Sequence, residues 1–264
     1  MSTGSSDDLS NVAVIIPALN EAEALGPLLP ALQRLTLGQV IVCDNGSTDE
    51  TRDVAKTHGA TWVYEPKRGY GAACHAGIEH LAKFADRVGL PTEKVGLPID
   101  TVVFIDADQT REVELLPALV DPIARGEADF VIGARIPGLR EAGSATWPQR
   151  FGNWLMPNLI RWGWGHRYTD LGPFRAIRWE PLEAMGMRDR AYGWTIEMQI
   201  RAVELGLRIL EIPIPHRKRR HGHDKISGTI RGTALAGYWI VKTCASMWLT
   251  KRGRGKKLRV KSDE

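Results

Sequence analysis

Cysteine is scarce. Three occur in 264 residues, Cys43, Cys74 and Cys244, with no CxxC pair and no histidine at a zinc-like spacing. A zinc module or a dithiol redox motif is therefore not indicated. Cys43 sits in an apolar run and reads as a buried structural thiol. A cytosolic, reducing location fits. The opening MSTGSSDDLSN is polar and acidic, unlike a signal peptide, and residues 1–10 read as a disordered arm. No GxGxxG follows the first strand-like run and no GxxxxGK[ST] occurs, which argues against a dinucleotide-binding fold and a P-loop ATPase. Internal repeats and clear linkers are also missing.

Acidic residues thin out toward the C-terminus. From His216 onward 14 Lys and Arg face 3 Asp and Glu, a balance of +11 within an overall +4, which leaves −7 for the preceding 215 residues. Such an end calls for an anionic partner: a phosphate-bearing substrate, anionic lipid or nucleic acid. No nucleic-acid fold motif accompanies it, so nucleic acid is not expected. A length of 264 residues suits one large α/β domain or two small ones, and the composition, 43% hydrophobic and 25% charged, predicts a sizeable folded core.

Strand and helix signals alternate over the first 135 residues. Asn11–Ile16, Gln39–Cys43, Thr61–Tyr64, Thr101–Ile105 and Asp129–Ile132 read as strands. Between them, Leu25, Leu28, Leu29, Leu32 and Leu35 recur at helical spacing. GSTDET (Gly46–Thr51) reads as a turn into a helix capped at Ser47 or Thr48. Small residues from Gly69 to Gly77 lead a helix toward Phe84, and Leu115, Leu116, Leu119 and Ile123 mark another. This order predicts an α/β fold, a mostly parallel sheet covered by helices on both faces. Six of the nine tryptophans fall between Trp147 and Trp194; core packing is the expectation, with an aromatic platform for sugars as the alternative. A late strand, Arg208–Ile214, runs into IPIPHRKRR.

In parallel sheets, ligands bind beyond the C-terminal strand edges. Asn20-Glu21, Asp44 and the pair Asp106/Asp108 all fall there. Two carboxylates side by side repel each other and suit a divalent cation bridging to a diphosphate; Mg2+ and Mn2+ prefer oxygen ligands. Transfer to a hydroxyl needs a general base, whereas an acceptor phosphate is already ionised. Asp170 and Glu197 are candidates for such a base, against readings as a structural cap and a helix-face charge. His216, His221 and His223 lie among Lys and Arg, which repel a metal, so phosphate contact or a solvated loop is the better reading.

The ordered motifs VIIPALNEAEAL, VIVCDNGSTDET, KRGYGAACHAGIE, VVFIDADQT, DFVIGARIPG, YTDLGPFRAI and YGWTIEMQIRA resemble family 2 glycosyltransferases of the GT-A fold, a Rossmann-like sheet flanked by helices. The branch they are most similar to is the dolichyl- or polyprenyl-phosphate sugar synthases, and the resemblance spans roughly Asn11 to Lys225. It implies an inverting transfer of a hexose from a nucleotide sugar such as UDP-glucose or GDP-mannose, with Mg2+ or Mn2+ on Asp106 and Asp108. Pro17, Ala18, Asn20, Glu21, Gly46 and Arg68 would line the donor pocket, and Asp44 would contact the base. Arg135 and Arg150 would meet the acceptor phosphate. The branch's R-x-x-G-x-S-K segment survives as Arg219, Gly222 and Lys225, with Asp224 in place of serine, a basic loop for the diphosphate. The family's DADGQ or DADLQ reads DADQT here. Two alternatives stay open: the same transfer to a soluble or glycan hydroxyl, and a non-catalytic nucleotide-sugar-binding or membrane-scaffold protein.

The resulting organisation is a catalytic domain over residues 11–227, a helix over 228–250 and a basic tail over 251–264. Gly228–Leu249 carries Arg231 and Lys242 and falls short of the roughly 20 mostly apolar residues that span a bilayer. Its aromatics and the basic tail suit docking at the cytoplasmic face of a membrane without crossing it; packing on the enzyme's own core is the competing reading.

Overall fold

The computed structural model describes residues 8–87, 99–140, 147–216 and 237–251. They form a seven-stranded sheet in the order β3-β2-β1-β4-β6-β5-β7. The strands are β1 (Asp8–Ala18), β2 (Thr36–Asp44), β3 (Thr61–Tyr64), β4 (Thr101–Phe104), β5 (Phe130–Arg140), β6 (Arg175–Arg178) and β7 (Ile209–His216). Six run the same way; β6 is antiparallel to both its neighbours.

Both faces of the sheet are covered, which is why its central strands are almost wholly apolar rather than alternating. Val12, Val14 and Ile16 of β1 face one layer, made by α1 (Ala22–Leu32), α2 (Thr51–Thr57) and α4 (Leu116–Ala124). Ala13 and Ile15 face the other, made by α3 (Tyr70–Arg87), α5 (Trp147–Trp164), α6 (Trp179–Met185), α7 (Trp194–Glu204) and a last helix, α8, over residues 237–251. Helix α1 buries Leu25, Leu28, Leu29 and Leu32, the face that the leucine spacing predicts; each such burial stabilises by about 1.5–3 kcal/mol.

Two local expectations are corrected. Helix α2 starts at Thr51 and is not capped by Ser47 or Thr48. Asp49 Oδ1 accepts from the Thr51 amide at 3.1 Å, while Ser47 and Thr48 turn back to Asn20. The tryptophan-rich stretch is not simply core: Trp194 is 1% exposed, yet Trp154 and Trp162 of α5 are 56% and 70% exposed. Arg208 and Asp129 staple β7 to β5 at the far end of the sheet, with guanidinium-to-carboxylate distances of 2.7 and 2.9 Å. That bonding holds Asp129 down to about 2.

Candidate active site

The co-directional strands bring Asp44, Asp106 and Arg135 to one edge. Ala18 lies opposite Asp44 in the β1–β2 register, and Ile15 opposite Phe104, two residues before Asp106. The β1 edge opens into residues 19–22, which are laced to the loop after β2. Asn20 adopts φ +50°, a conformation Asn tolerates because its amide can bond locally. Its Oδ1 accepts from Thr48 N at 2.7 Å, and its own N–H donates to Ser47 Oγ at 2.8 Å. The amides of Glu21 and Ala22 donate to Thr51 Oγ1 and Asp49 Oδ2. Asn20 and Glu21 thus shape the loop wall. Ala18 is buried and Pro17 half-buried.

Asp44 is buried. It accepts from Ser47 N at 2.8 Å on Oδ1 and from the Trp62 indole at 3.1 Å on Oδ2. The Arg52 guanidinium lies over that indole, 4.8 Å from its ring centre. Gly46 lies under the Arg68 guanidinium, so these two predicted residues do come together. Neither Trp62 nor Arg52 is marked by the sequence pattern; Trp62 pairs with Val42 in the β2–β3 register, two positions before Asp44, whose own partner is Tyr64.

At the end of β4, Asp106 and Asp108 are both partly buried. Asp106 N donates to Gln109 Oε1 at 3.0 Å, and Tyr70 Oη donates to Asp106 Oδ1 at 3.2 Å. Burial, and then the Asp108 charge, push Asp106 up to about 7; the Tyr70 bond and the Arg135 and Arg175 charges oppose them. Among the described residues no group of three or more His, Cys, Asp or Glu side chains is placed to hold a metal. Two carboxylates suffice for Mg2+ or Mn2+, which usually keep waters and substrate phosphates as further ligands. The mutual repulsion of the two aspartates and their all-oxygen chemistry fit such an ion.

Arg135 sits where β5 has run past β6 and its register with β7 shifts. Its Nε and Nη2 contact Asp170 Oδ2 and Oδ1 at 2.7 and 3.0 Å, and its backbone N–H donates to Oδ2 at 3.1 Å. Burial alone would raise Asp170, but the Arg135 charge and hydrogen bonds hold it below the ordinary carboxylate range. The Asp170 turn is itself fixed. Glu211 accepts from Thr169 N and Asp170 N, and Gln199 Nε2 donates to Asp170 O. Gly172 presses so close that a Cβ there would lie 2.7 Å from Gly133 O. Beneath, the 1%-exposed Arg175 donates to Leu171 O, Gly172 O and Thr195 O. Its charge reaches Asp106 and Asp170. Arg175 was hidden in FRAI as a strand residue.

Both candidate bases are thus engaged. Asp170 is locked to Arg135. Glu197, 3% exposed, accepts from Arg188 N and Asp189 N at 2.7–3.1 Å and lies 3.7 Å from Arg201; it builds the turn before α7 and is not a helix-face charge. The Arg150 side chain, Arg219, His221, Gly222, His223 and Lys225 lie outside the described residues, as does the tail beyond residue 251. The described part of the last helix packs Ile240, Cys244 and Met247 on the core. Thr243 Oγ1 donates to Asp189, and Lys251 Nζ to Gly163 O. No helix among the described residues is long and apolar enough to cross a membrane.

A dolichyl-phosphate hexose transferase of Haloferax volcanii is 34% identical over 242 residues, covering 90% of this chain and 94% of that protein. An undecaprenyl-phosphate mannosyltransferase of Micrococcus luteus is 32% identical over 241 residues, covering 85% and 90%. These are relatives of the kind that the motifs resemble. Among solved structures, glucosyl-3-phosphoglycerate synthase from Mycobacterium tuberculosis, in complex with Mn2+, UDP and glucosyl-3-phosphoglycerate, superposes with a TM-score of 0.64 at 22% identity, covering 89% of this chain and 80% of that one. The sheet order with its single reversed strand is thus the GT-A architecture. Residues 13–186, from the first strand past the Asp106 and Asp170 turns to the end of α6, match the model of glycosyl transferase family 2, and the chain belongs to that family.

Proposed function

We propose that the chain transfers a hexose, with inversion, from a UDP- or GDP-sugar to a polyprenyl phosphate, through one catalytic domain over residues 11–227. The observation that carries the choice of acceptor is the state of Asp170 and Glu197. Each has its carboxylate oxygens engaged by the protein, so neither stands ready to deprotonate a hydroxyl. A phosphate acceptor needs no such base. The lipid-phosphate activities in the names of the two relatives point the same way.

In this reading Asp106 and Asp108 hold Mg2+ or Mn2+, which neutralises the departing nucleoside diphosphate. Asp44 takes the base, with Pro17, Ala18, Asn20, Glu21, Gly46 and Arg68 forming the donor wall. Arg135, aimed by Asp170, meets the acceptor phosphate together with Arg150, and Arg219 and Lys225 close on the diphosphate. Glu197 supports the site from behind. The test is a screen of UDP- and GDP-hexoses with the full chain against polyprenyl phosphate and against glycan and small hydroxyl acceptors, with products read by mass spectrometry. A glycosylated lipid phosphate is the expected product. Transfer to hydroxyl acceptors alone would reject the lipid reading, and donor binding without any turnover would leave a binding protein.

The same reading places the protein at the cytoplasmic membrane face. Helix α8 is apolar on two sides: one packs on the core, while Tyr238, Val241 and Leu249 are 60%, 43% and 63% exposed. Trp248 meets Gly163 of α5, next to exposed Trp162, and KRGRGKKLRVK follows in the sequence. Each Lys or Arg near an anionic surface contributes about 1 kcal/mol. The protein is expected to float with anionic vesicles, less so at high salt, and truncation after Thr250 should weaken flotation. Intact protein that stays at the bottom of a low-salt gradient would refute docking.

A further inference from the structure

Tyr70 opens α3, and its phenol ends on one of the two aspartates at the strand edge, 3.2 Å from Asp106 Oδ1. Tyr70 is half-buried, and a phenol turned away from water favours an acceptor for its O–H. A backbone carbonyl would serve that need equally well. The acceptor here is instead a side chain of the site, whose backbone amide is also fixed, by Gln109 Oε1 at 3.0 Å. Asp106 is therefore held at both its main chain and its carboxylate.

The position of the phenol is set from outside its own helix. Gly69 has φ +147°, and a Cβ there would come 2.0 Å from Arg190 O. No other residue lets the chain approach the 189–191 turn so closely. The amides of Gly71 and Ala72 belong to the first turn of α3 and lack intrahelical acceptors. They donate to Ala191 O at 3.0 Å and Arg190 O at 2.9 Å. That turn is braced in its own right. Glu197 accepts from the amides of Arg188 and Asp189, and Asp189 accepts from Ala191 N and from Thr243 Oγ1 of α8. A tyrosine that only filled space would not require its helix start to be clamped so closely on that turn. The clamp makes sense if the place of the hydroxyl matters.

We propose that Tyr70 is a positioning residue for the divalent cation, its hydroxyl fixing the rotation of the Asp106 carboxylate beside Asp108. The proposal rests on the assignment of Asp106 and Asp108 to the metal. Without the bond, the carboxylate is free to turn away from its like-charged neighbour. Hydrogen-bond partners of metal ligands typically change metal affinity about 10–100-fold.

The experiment titrates Mn2+ alone into the full chain and follows free Mn2+ by electron paramagnetic resonance. Wild type comes first: if it binds no Mn2+, the metal assignment itself falls. With binding established, Tyr70→Phe is expected to weaken it about 10-fold at an unchanged melting temperature. Replacing Tyr70 with 4-aminophenylalanine, which keeps a donor at the same place, should restore most of the affinity. Wild-type affinity in Tyr70→Phe overturns the proposal. So does an aminophenylalanine protein as weak as the phenylalanine one, because the loss then belongs to packing. Should Tyr70→Phe fail to fold, 4-aminophenylalanine against 4-methylphenylalanine makes the same comparison between side chains of similar size, and equal affinities there overturn the proposal.

Discussion

Asp108→Ala is expected to lose sugar transfer by on the order of 10^3-fold, the several kcal/mol by which a cation stabilises charge on a leaving diphosphate, while folding as well as wild type. The two halves of this expectation have one cause. Asp106 and Asp108 stand together at the end of β4, where burial and the Asp108 charge push Asp106 upward. In the absence of a cation their proximity costs stability. Removing Asp108 therefore lets Asp106 fall back toward the ordinary carboxylate range and leaves the melting temperature of the metal-free protein unchanged or higher. A cation held by the pair, as proposed, would in turn lose one of two protein oxygens. Initial transfer rates with Mn2+, and thermal melts in EDTA, check both halves. Wild-type turnover by the variant, or full wild-type activity in excess EDTA, would remove the metal from the reading.

The central strands β1, β2 and β4 were legible because burial on both faces leaves no room for polar alternation, so each reads as an uninterrupted apolar run. Asp44 and the Asp106/Asp108 pair were legible for the converse reason: charges that end such runs have no packing role. The fold departs from expectation where charge is buried. Strand β6 offers only Ala176 and Ile177 between two arginines, and its first residue, Arg175, is among the largest fully buried side chains. Nothing in a four-residue pattern announces a guanidinium that serves three carbonyls. The reversed strand was missed with it.

Polar residues misled in a similar way. Ser47 and Thr48 have the right chemistry for a helix cap, yet the nearer Asp49 takes the Thr51 amide, and the two hydroxyl residues tie the loop to Asn20. Tyr70 sits inside a motif readable by its glycines, but its bond to Asp106 spans 36 positions, a separation no local pattern encodes. Asp170 and Glu197 were recognisable as charges of interest. Their partners, 35 residues away for Asp170 and 8 to 9 for Glu197, decide whether they act on substrate or on the protein.

The pairing of Asp170 with Arg135 makes its removal damaging to the fold at the site. Asp170 is 2% exposed at its side chain and Arg135 23%. Truncating one partner of a buried pair costs about 3–5 kcal/mol, and the partial exposure of Arg135 favours the lower end. Asp170→Ala should thus lower the melting temperature by roughly 5–10 °C. Arg135→Met strands the carboxylate instead, and pH distinguishes the two. In wild type the folded pKa of Asp170 is depressed, so the pair's contribution is present above the ordinary carboxylate range and lost as pH falls below it. In Arg135→Met the guanidinium charge and its bonds are gone and only the backbone N–H groups of residue 135 and Leu171 still oppose burial, so Asp170 rises relative to wild type and this variant's deficit should shrink on acidification as the carboxyl takes up a proton. Arg135→Lys keeps the charge and most of the stability but loses the planar fork. If Arg135 faces the acceptor phosphate, KM for the acceptor should rise by at least about 10-fold, the effect of one lost charge-assisted bond, with KM for the donor nearly unchanged. Equal losses for donor and acceptor would take Arg135 away from the acceptor and leave it a structural partner of Asp170.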